Sequence, residues 1–147
     1  MKLPLLLLML FIGFILTLHL TMNSQVGVIV KNQKMGNALF WTIGAITALI
    51  IGATAWDSTV LTRLKDVPVW LLTAGAMGAC LVFGIAWVIP QIGARNAFVL
   101  MIAGQVITGM LFSHFGVLGS PVEPISLTKI LGVIMLIGGV SIITYSK

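Results

Sequence analysis

Two polar side chains, one helical turn apart, are the best candidates in this chain for binding a small molecule. His19 and Asn23 are four residues apart, so a helix places them on one face. An imidazole and an amide together offer hydrogen-bond donors and acceptors to a polar solute. The same pair can instead bond to neighbouring helices as structural glue, and the sequence leaves the two interpretations even.

Three more polar residues lie in the second half of the chain, where Gln105 is followed by Ser113 and His114. We predict a substrate-binding site formed by His19, Asn23, Gln105 and Ser113. Proton handling is predicted for His19 and His114, although an interfacial position is favoured for His114. The sequence has no Ser/His/Asp set, no phosphate-binding glycine loop and no metal-ligand spacing. We therefore expect no enzyme activity, no catalytic residue, no metal and no cofactor.

The composition decides which solvent surrounds these residues. Of the 147 residues, 59% are hydrophobic and 7% are charged, whereas soluble domains have about 25% charged residues. So few charges cannot cover a water-facing surface, and lipid must surround most of the exterior. The net charge of +5 comes from single basic residues at the ends of apolar stretches. That pattern suits lipid headgroups, and we expect no nucleic-acid partner.

Apolar stretches of about 20 residues can cross a bilayer as helices. The sequence predicts an all-α, polytopic membrane helix bundle with five transmembrane helices in a single domain, residues 1–147. The first stretch exceeds a signal-peptide core and no small-x-small cleavage site follows it, so we interpret it as a retained helix. The predicted spans are roughly 3–30, 37–55, 67–89, 94–112 and 125–145.

The basic residues give no clear orientation in the membrane. Five spans would put four basic residues on each side, so the positive-inside rule favours neither. Either other residues or a partner select one orientation, or the chain inserts both ways and forms an antiparallel homodimer, as in inverted-repeat transporters. The two sets are Lys2, Arg63, Lys65 and Lys129 on one side, and Lys31, Lys34, Arg95 and Lys147 on the other.

The acidic residues are few and lie outside the spans. Asp57, Asp66 and Glu123 are all in connecting segments. Ionisable groups inside a membrane usually mark ion or proton pathways, and proton-coupled cation exporters usually keep a buried carboxylate. A multidrug cation exporter is therefore disfavoured, and proton exchange within the membrane would need histidine.

Five short segments follow one another along the chain from residue 67. They are VPVWLLTAGAMGA (67–79), PQIG (90–93), AGQ (103–105), HFGVLG (114–119) and LGVIMLIGGV (131–140). Together they resemble the YdcZ-like family of the drug/metabolite transporter superfamily. Two positions depart from the family pattern. His19 stands where the family tends to have Gln, four residues before its Asn, and Ser113 stands where it commonly has Asp.

The resemblance implies a five-span protein of the bacterial inner membrane that forms one half of an inverted-repeat, ten-helix transporter. The expected function is a secondary transporter or facilitator of a small polar or amphipathic metabolite. It would act as a homodimer by alternating access, with membrane lipid and the small-molecule substrate as its other partners. The alternative is an accessory or lipid-handling membrane subunit that transports nothing alone.

Overall fold

The structure is a computed structural model that describes residues 3–146, and that whole range contains helices and connecting segments but no strand. The predicted all-helical class is thus confirmed. Within these residues, four stretches are long and apolar enough to cross a membrane: Leu3–Ile29, Gln33–Thr54, Val69–Phe115 and Leu127–Tyr145. The helices are α1 (Leu3–Ile29), α2 (Gln33–Thr54), α3 (Val60–Leu64), α4 (Val69–Leu72), α5 (Ala74–Phe115) and α6 (Leu127–Tyr145), with a 3-10 turn at Val117–Gly119.

Side-chain caps set two of the helix starts. The Asn32 side chain accepts a hydrogen bond from a backbone N–H of the first turn of α2, so that helix begins four residues before the predicted 37. The Ser126 side chain caps α6 in the same way, and this helix begins at Leu127 rather than at 125. Both caps satisfy N–H groups that a helix leaves without partners at its start.

Gly93 interrupts the long helix α5. Its φ of 80° and ψ of 153° are not helical, and glycine adopts positive φ without the steric cost of a Cβ atom. The sequence predicted an end at residue 89, before Pro90, but the helix continues past this proline. We call residues 74–91 α5a and residues 94–115 α5b. The chain divides into two compact units between Gln91 and Ile92.

Pro90 explains one hydrogen bond between helices of the first unit. Proline has no N–H, so the carbonyl four residues earlier in a helix loses its partner. That residue is Ala86, whose carbonyl oxygen accepts a hydrogen bond of 2.9 Å from the Ser24 hydroxyl of α1. Ser24 and Ala86 are only 2% and 1% exposed. A polar side chain of α1 thus replaces the bond that proline removes from α5a.

Two glycines let α1 and α2 approach closely. A Cβ atom on Gly36 would lie 2.8 Å from both the backbone nitrogen and the Cα of Gly27, closer than real Cβ contacts allow. Small residues at such positions permit backbone contact between membrane helices. The connection is short and Lys31 adopts a positive φ of 52° within it. The first two helices therefore form a tight hairpin.

The segment between α2 and α4, predicted as a simple connection, contains the short helix α3. Before it, Thr59 donates two hydrogen bonds to the exposed Asp57 carboxylate, 2.6 Å from Oγ1 and 3.0 Å from the backbone nitrogen. The hydroxyl bond first, and then the backbone bond, lower the pKa of Asp57 from its ordinary value. This turn keeps the carboxylate charged and outside the apolar helices.

The close approach at Gly36 predicts an unusual cost for a small substitution. Gly36→Ala places a methyl group against the Gly27 backbone, and overpacking of this kind costs about 1–3 kcal/mol. Gly52→Ala is the matched control, because a Cβ at Gly52 meets nothing within 4 Å and alanine favours helix by about 1 kcal/mol. Thermal unfolding in detergent should show a lower Tm for the first variant and an equal or higher Tm for the control. Equal Tm changes would contradict the close packing.

The Ser24 bond predicts a coupling between two distant positions. Ser24→Ala leaves the buried Ala86 carbonyl without a partner, at a cost of about 1–3 kcal/mol in the free energy of unfolding. In a Pro90→Ala background, the restored N–H can bond to that carbonyl, so the same Ser24→Ala change should cost much less. A double-mutant cycle measures this difference. Purely additive changes in the free energy of unfolding would show that the Ser24 bond does not replace the hydrogen bond that Pro90 removes.

Candidate functional site

The buried face of α1 is formed by polar and small residues as much as by apolar ones. Leu20, Asn23, Ser24 and Gly27 are the buried residues of this helix, and their spacing of three, one and three residues follows a single helical face. The first half of α1, rich in leucine, is exposed. In lipid, α1 therefore presents its polar side to protein and its apolar side to the hydrocarbon.

Asn23 is the most unusual residue on this face. Its side chain is 3% exposed, yet within residues 3–146 neither its Nδ2 nor its Oδ1 atom has a hydrogen-bond partner. A buried amide without partners costs free energy, about 1–3 kcal/mol for each such group in mutational data. Its neighbour Ser24 is equally buried but is paired with Ala86. Asn23 thus has free capacity for two kinds of hydrogen bond, one as donor and one as acceptor.

His19 lies one turn before Asn23 and is half-buried. Its Nδ1 atom is 3.0 Å from the Leu16 carbonyl oxygen, and since a carbonyl only accepts, Nδ1 carries the hydrogen of this bond. In the neutral ring, Nε2 is then left as a hydrogen-bond acceptor. The ring also lies against Phe40 of α2, with centroids 5.4 Å apart and planes inclined by 32°. This contact limits the orientation of the imidazole.

A cleft of about 210 Å³ lies between α1 and α2 at these residues. We call it the Asn23 cleft. Asn23 and His19 are the polar side chains among its lining residues, and its accessible wall is almost wholly apolar because the amide atoms of Asn23 are buried. The lining residues are His19, Met22, Asn23, Val26, Gly36, Leu39, Phe40 and Ile43.

A second cleft of about 440 Å³ adjoins the first along α2. We call it the Thr47 cleft. It shares His19, Phe40 and Ile43 with the Asn23 cleft, so the two meet at the His19–Phe40 contact. The Thr47 hydroxyl donates to the Ile43 carbonyl of its own helix, which leaves this cleft without a free donor. The lining residues are His19, Phe40, Ile43, Gly44, Thr47, Ala48 and Ile51.

A third helix of the first unit completes the frame of this region. The Asn37 side chain of α2 donates to the Ala79 carbonyl of α5a at 3.3 Å, and a Cβ on Gly78 would lie 3.3 Å from the Trp41 ring. Together with the Ser24–Ala86 bond, these contacts hold α1 and α2 against α5a. The two clefts therefore lie on elements fixed by bonds between side chains and backbone carbonyls.

The other predicted site residues belong to the second unit. Gln105 is exposed on α5b, whereas Ser113 and His114 are half-buried at its end. His114 Nδ1 accepts a 3.1 Å hydrogen bond from the Ile125 backbone nitrogen, so this histidine fastens the connection to α6. The interfacial position and the proton-handling role of His114 both stay predictions.

Ser113 lines a separate cleft of about 320 Å³ between α5b and α6. At this cleft, Lys129 Nζ lies 3.2 Å from a Glu123 carboxylate oxygen and 3.1 Å from the Pro124 carbonyl oxygen. The Ser113 carbonyl accepts a 2.8 Å bond from the Glu123 backbone nitrogen. The acidic and basic side chains at this cleft, Glu123 and Lys129, thus form an ion pair with each other.

The sequence indicated His19 and Asn23 but not Phe40, the aromatic residue that lies against the His19 ring. The structure places both polar residues on one cleft, and Gln105 and Ser113 on the other unit. Phe40 was missed because an aromatic residue in an apolar span gives no signal of which face it occupies. Within residues 3–146, no group of three His, Cys, Asp or Glu residues could hold a metal ion. The binding role of all four residues stays a prediction.

Comparison with known proteins supplies the class of this protein. Residues 4–142 match the family described as "Putative inner membrane exporter, YdcZ". No curated protein and no solved structure matches the chain. The match covers nearly the whole sequence and confirms the resemblance seen in its short segments. With its long apolar helices, the chain belongs to the YdcZ family and is a multi-pass transport protein of the inner membrane.

Proposed function

We propose that this chain exports a small polar or amphipathic metabolite through a site at Asn23. The observation that supports this best is the pair of free hydrogen-bonding atoms on a side chain 3% exposed. Lipid offers no hydrogen bonds, so polar groups inside membrane helices are expensive and commonly functional. A ligand in the Asn23 cleft would satisfy the amide, and His19 would supply a neighbouring acceptor.

The proposed architecture has five crossings. The stretch Val69–Phe115 has 47 residues, which at 1.5 Å per residue is about 70 Å of helix. This is more than twice the hydrocarbon thickness of about 30 Å. The non-helical Gly93 divides it into two parts, each longer than the about 20 residues a crossing needs. Two crossings here, added to those of α1, α2 and α6, give the five of the proposal.

An odd number of crossings leads to the second part of the proposal, an antiparallel homodimer. Two five-helix subunits in opposite orientations would form a ten-helix inverted repeat, an arrangement in which sites lie near the membrane centre. The equal charge on the two sides of the chain supports dual insertion. Alternating access would then come from rocking of one helix bundle against the other, with Gln105 and Ser113 as further site residues.

A second candidate is an accessory or lipid-handling subunit. The almost wholly apolar wall of the Asn23 cleft favours it, because such a wall also suits part of a lipid. Purified protein in liposomes separates the two functions. Solute movement by the chain alone supports the exporter, and movement only with an added membrane partner supports the accessory subunit.

Substitution of Asn23 should separate function from stability. Asn23→Leu removes an amide that has no partner, so Tm should stay equal or rise. Solute flux into proteoliposomes should fall at least about tenfold, because the loss of one hydrogen bond to the solute costs about 1.4 kcal/mol. Ser24→Ala is the adjacent control, because it removes a bond that is made and should lower Tm. A lower Tm for Asn23→Leu with normal flux would assign Asn23 to structural glue instead.

Single charges should control the orientation if the chain inserts both ways. The two sides have equal numbers of basic residues, so the loss of one basic residue from one side should direct that side to the periplasm. Lys34→Gln and Lys65→Gln are matched changes on opposite sides. A C-terminal reporter that distinguishes cytoplasm from periplasm should show both locations in the wild type, the periplasm for Lys34→Gln and the cytoplasm for Lys65→Gln. A single location in all three proteins would contradict dual insertion.

A further inference from the structure

We propose that the exported molecule is an uncharged amphiphile with an amide head and a linear apolar tail. The inference rests on the proposed function and names the substrate class of the same site. The head would bind in the Asn23 cleft, and the tail would lie in the adjoining Thr47 cleft.

The head group follows from the free atoms of Asn23. An amide side chain has N–H donors and a carbonyl acceptor side by side, and on Asn23 both are buried without partners in residues 3–146. A ligand that satisfies both must present one acceptor next to one donor. A primary amide does this, because one of its N–H bonds lies on the same side as its carbonyl, and two parallel hydrogen bonds would then join the two amide groups. A secondary amide in its usual trans form points its N–H away from its carbonyl and cannot make both bonds. His19 Nε2 offers one more acceptor at the same cleft, for the remaining N–H of a primary amide.

The residues that line the two clefts favour a ligand without charge. Their side chains are apolar or neutral, apart from the titratable His19. A carboxylate or ammonium group taken from water to this place would lose its hydration without meeting an opposite charge, which is strongly unfavourable. A neutral amide loses less and recovers hydrogen bonds from Asn23. The site therefore selects for amides against acids and amines with the same tail.

The tail follows from the shape and chemistry of the Thr47 cleft. It runs along α2 from Ile43 to Ile51, about 12 Å at the helical rise. Its one hydroxyl, on Thr47, already donates within α2, so the remaining wall is apolar. The space beside Gly44 is open, because nothing lies within 4 Å of a Cβ built at this position. A flexible apolar chain fits such a groove better than a second polar group does.

Matched probes test the head group. Octanamide, octanoate and octylamine have the same tail with a neutral, an acidic and a basic head. With the full chain in nanodiscs, octanamide should raise Tm, because a ligand that binds the native state stabilises it, while octanoate and octylamine should not. Asn23→Leu should weaken octanamide binding at least about tenfold. Thr42→Val, which removes an exposed hydroxyl of α2 bonded to its own helix, should leave binding unchanged.

A second pair of variants tests the tail. Gly44→Leu fills the Thr47 cleft and should abolish the octanamide effect, whereas Gly52→Leu makes the same change outside both clefts and should preserve it. Equal responses to octanamide and octanoate, or unchanged octanamide binding by Asn23→Leu, would overturn the inference. Flux of a charged solute that depends on Asn23 would also overturn it but would leave the proposed exporter standing. Liposomes in which the chain moves no solute at all would instead overturn the proposed function.

Discussion

The bond from the Ser24 hydroxyl to the Ala86 carbonyl is the contact on which the first unit depends. In lipid, water is not present to satisfy a carbonyl that a proline has left without its partner. Pro90 creates such a carbonyl in α5a, and Ser24 is the group of α1 that meets it. The bond fixes both the distance and the rotation of α1 against α5a. It therefore also determines where the preceding residue of α1, Asn23, points.

The same constraint gives the polar residues of this unit two different roles. Ser24 and Asn37 donate to backbone carbonyls of α5a, and these bonds join three helices without any charged group. Asn23, on the same face of α1, makes no comparable bond within the described residues. A side chain that only held helices together would be expected to find such a carbonyl too. The contrast between neighbours of equal burial is the reason to treat Asn23 as a binding residue.

Much of this arrangement could be predicted from residue types and spacing. The i, i+4 relation placed His19 and Asn23 on one face, and the predicted boundary between the spans 67–89 and 94–112 contains the break at Gly93. The sequence did not reveal that helix would continue through Pro90, since this depends on a partner for the Ala86 carbonyl that is 62 residues away in the chain. Phe40 was equally hidden, because every face of an apolar span has similar hydrophobicity. Which polar residues share one cleft is likewise a tertiary property, and Gln105 and Ser113 belong to a different unit from Asn23.

The chemistry of the two clefts also bears on how export would be driven. Each elementary charge that crosses a membrane potential gains or loses about 2.3 kcal/mol per 100 mV, but an uncharged amide gains nothing from it. The acidic residues of the chain lie in connecting segments, so the predicted proton handling would fall to His19 at the clefts. Its Nδ1 hydrogen is held by the Leu16 carbonyl, so Nε2 would be the atom involved. Protonation there would convert the acceptor that faces an amide head into a donor. Within the proposed mechanism, any coupling to protons would therefore act by changing the hydrogen bonds offered to the ligand, and without it the ligand gradient alone would drive transport.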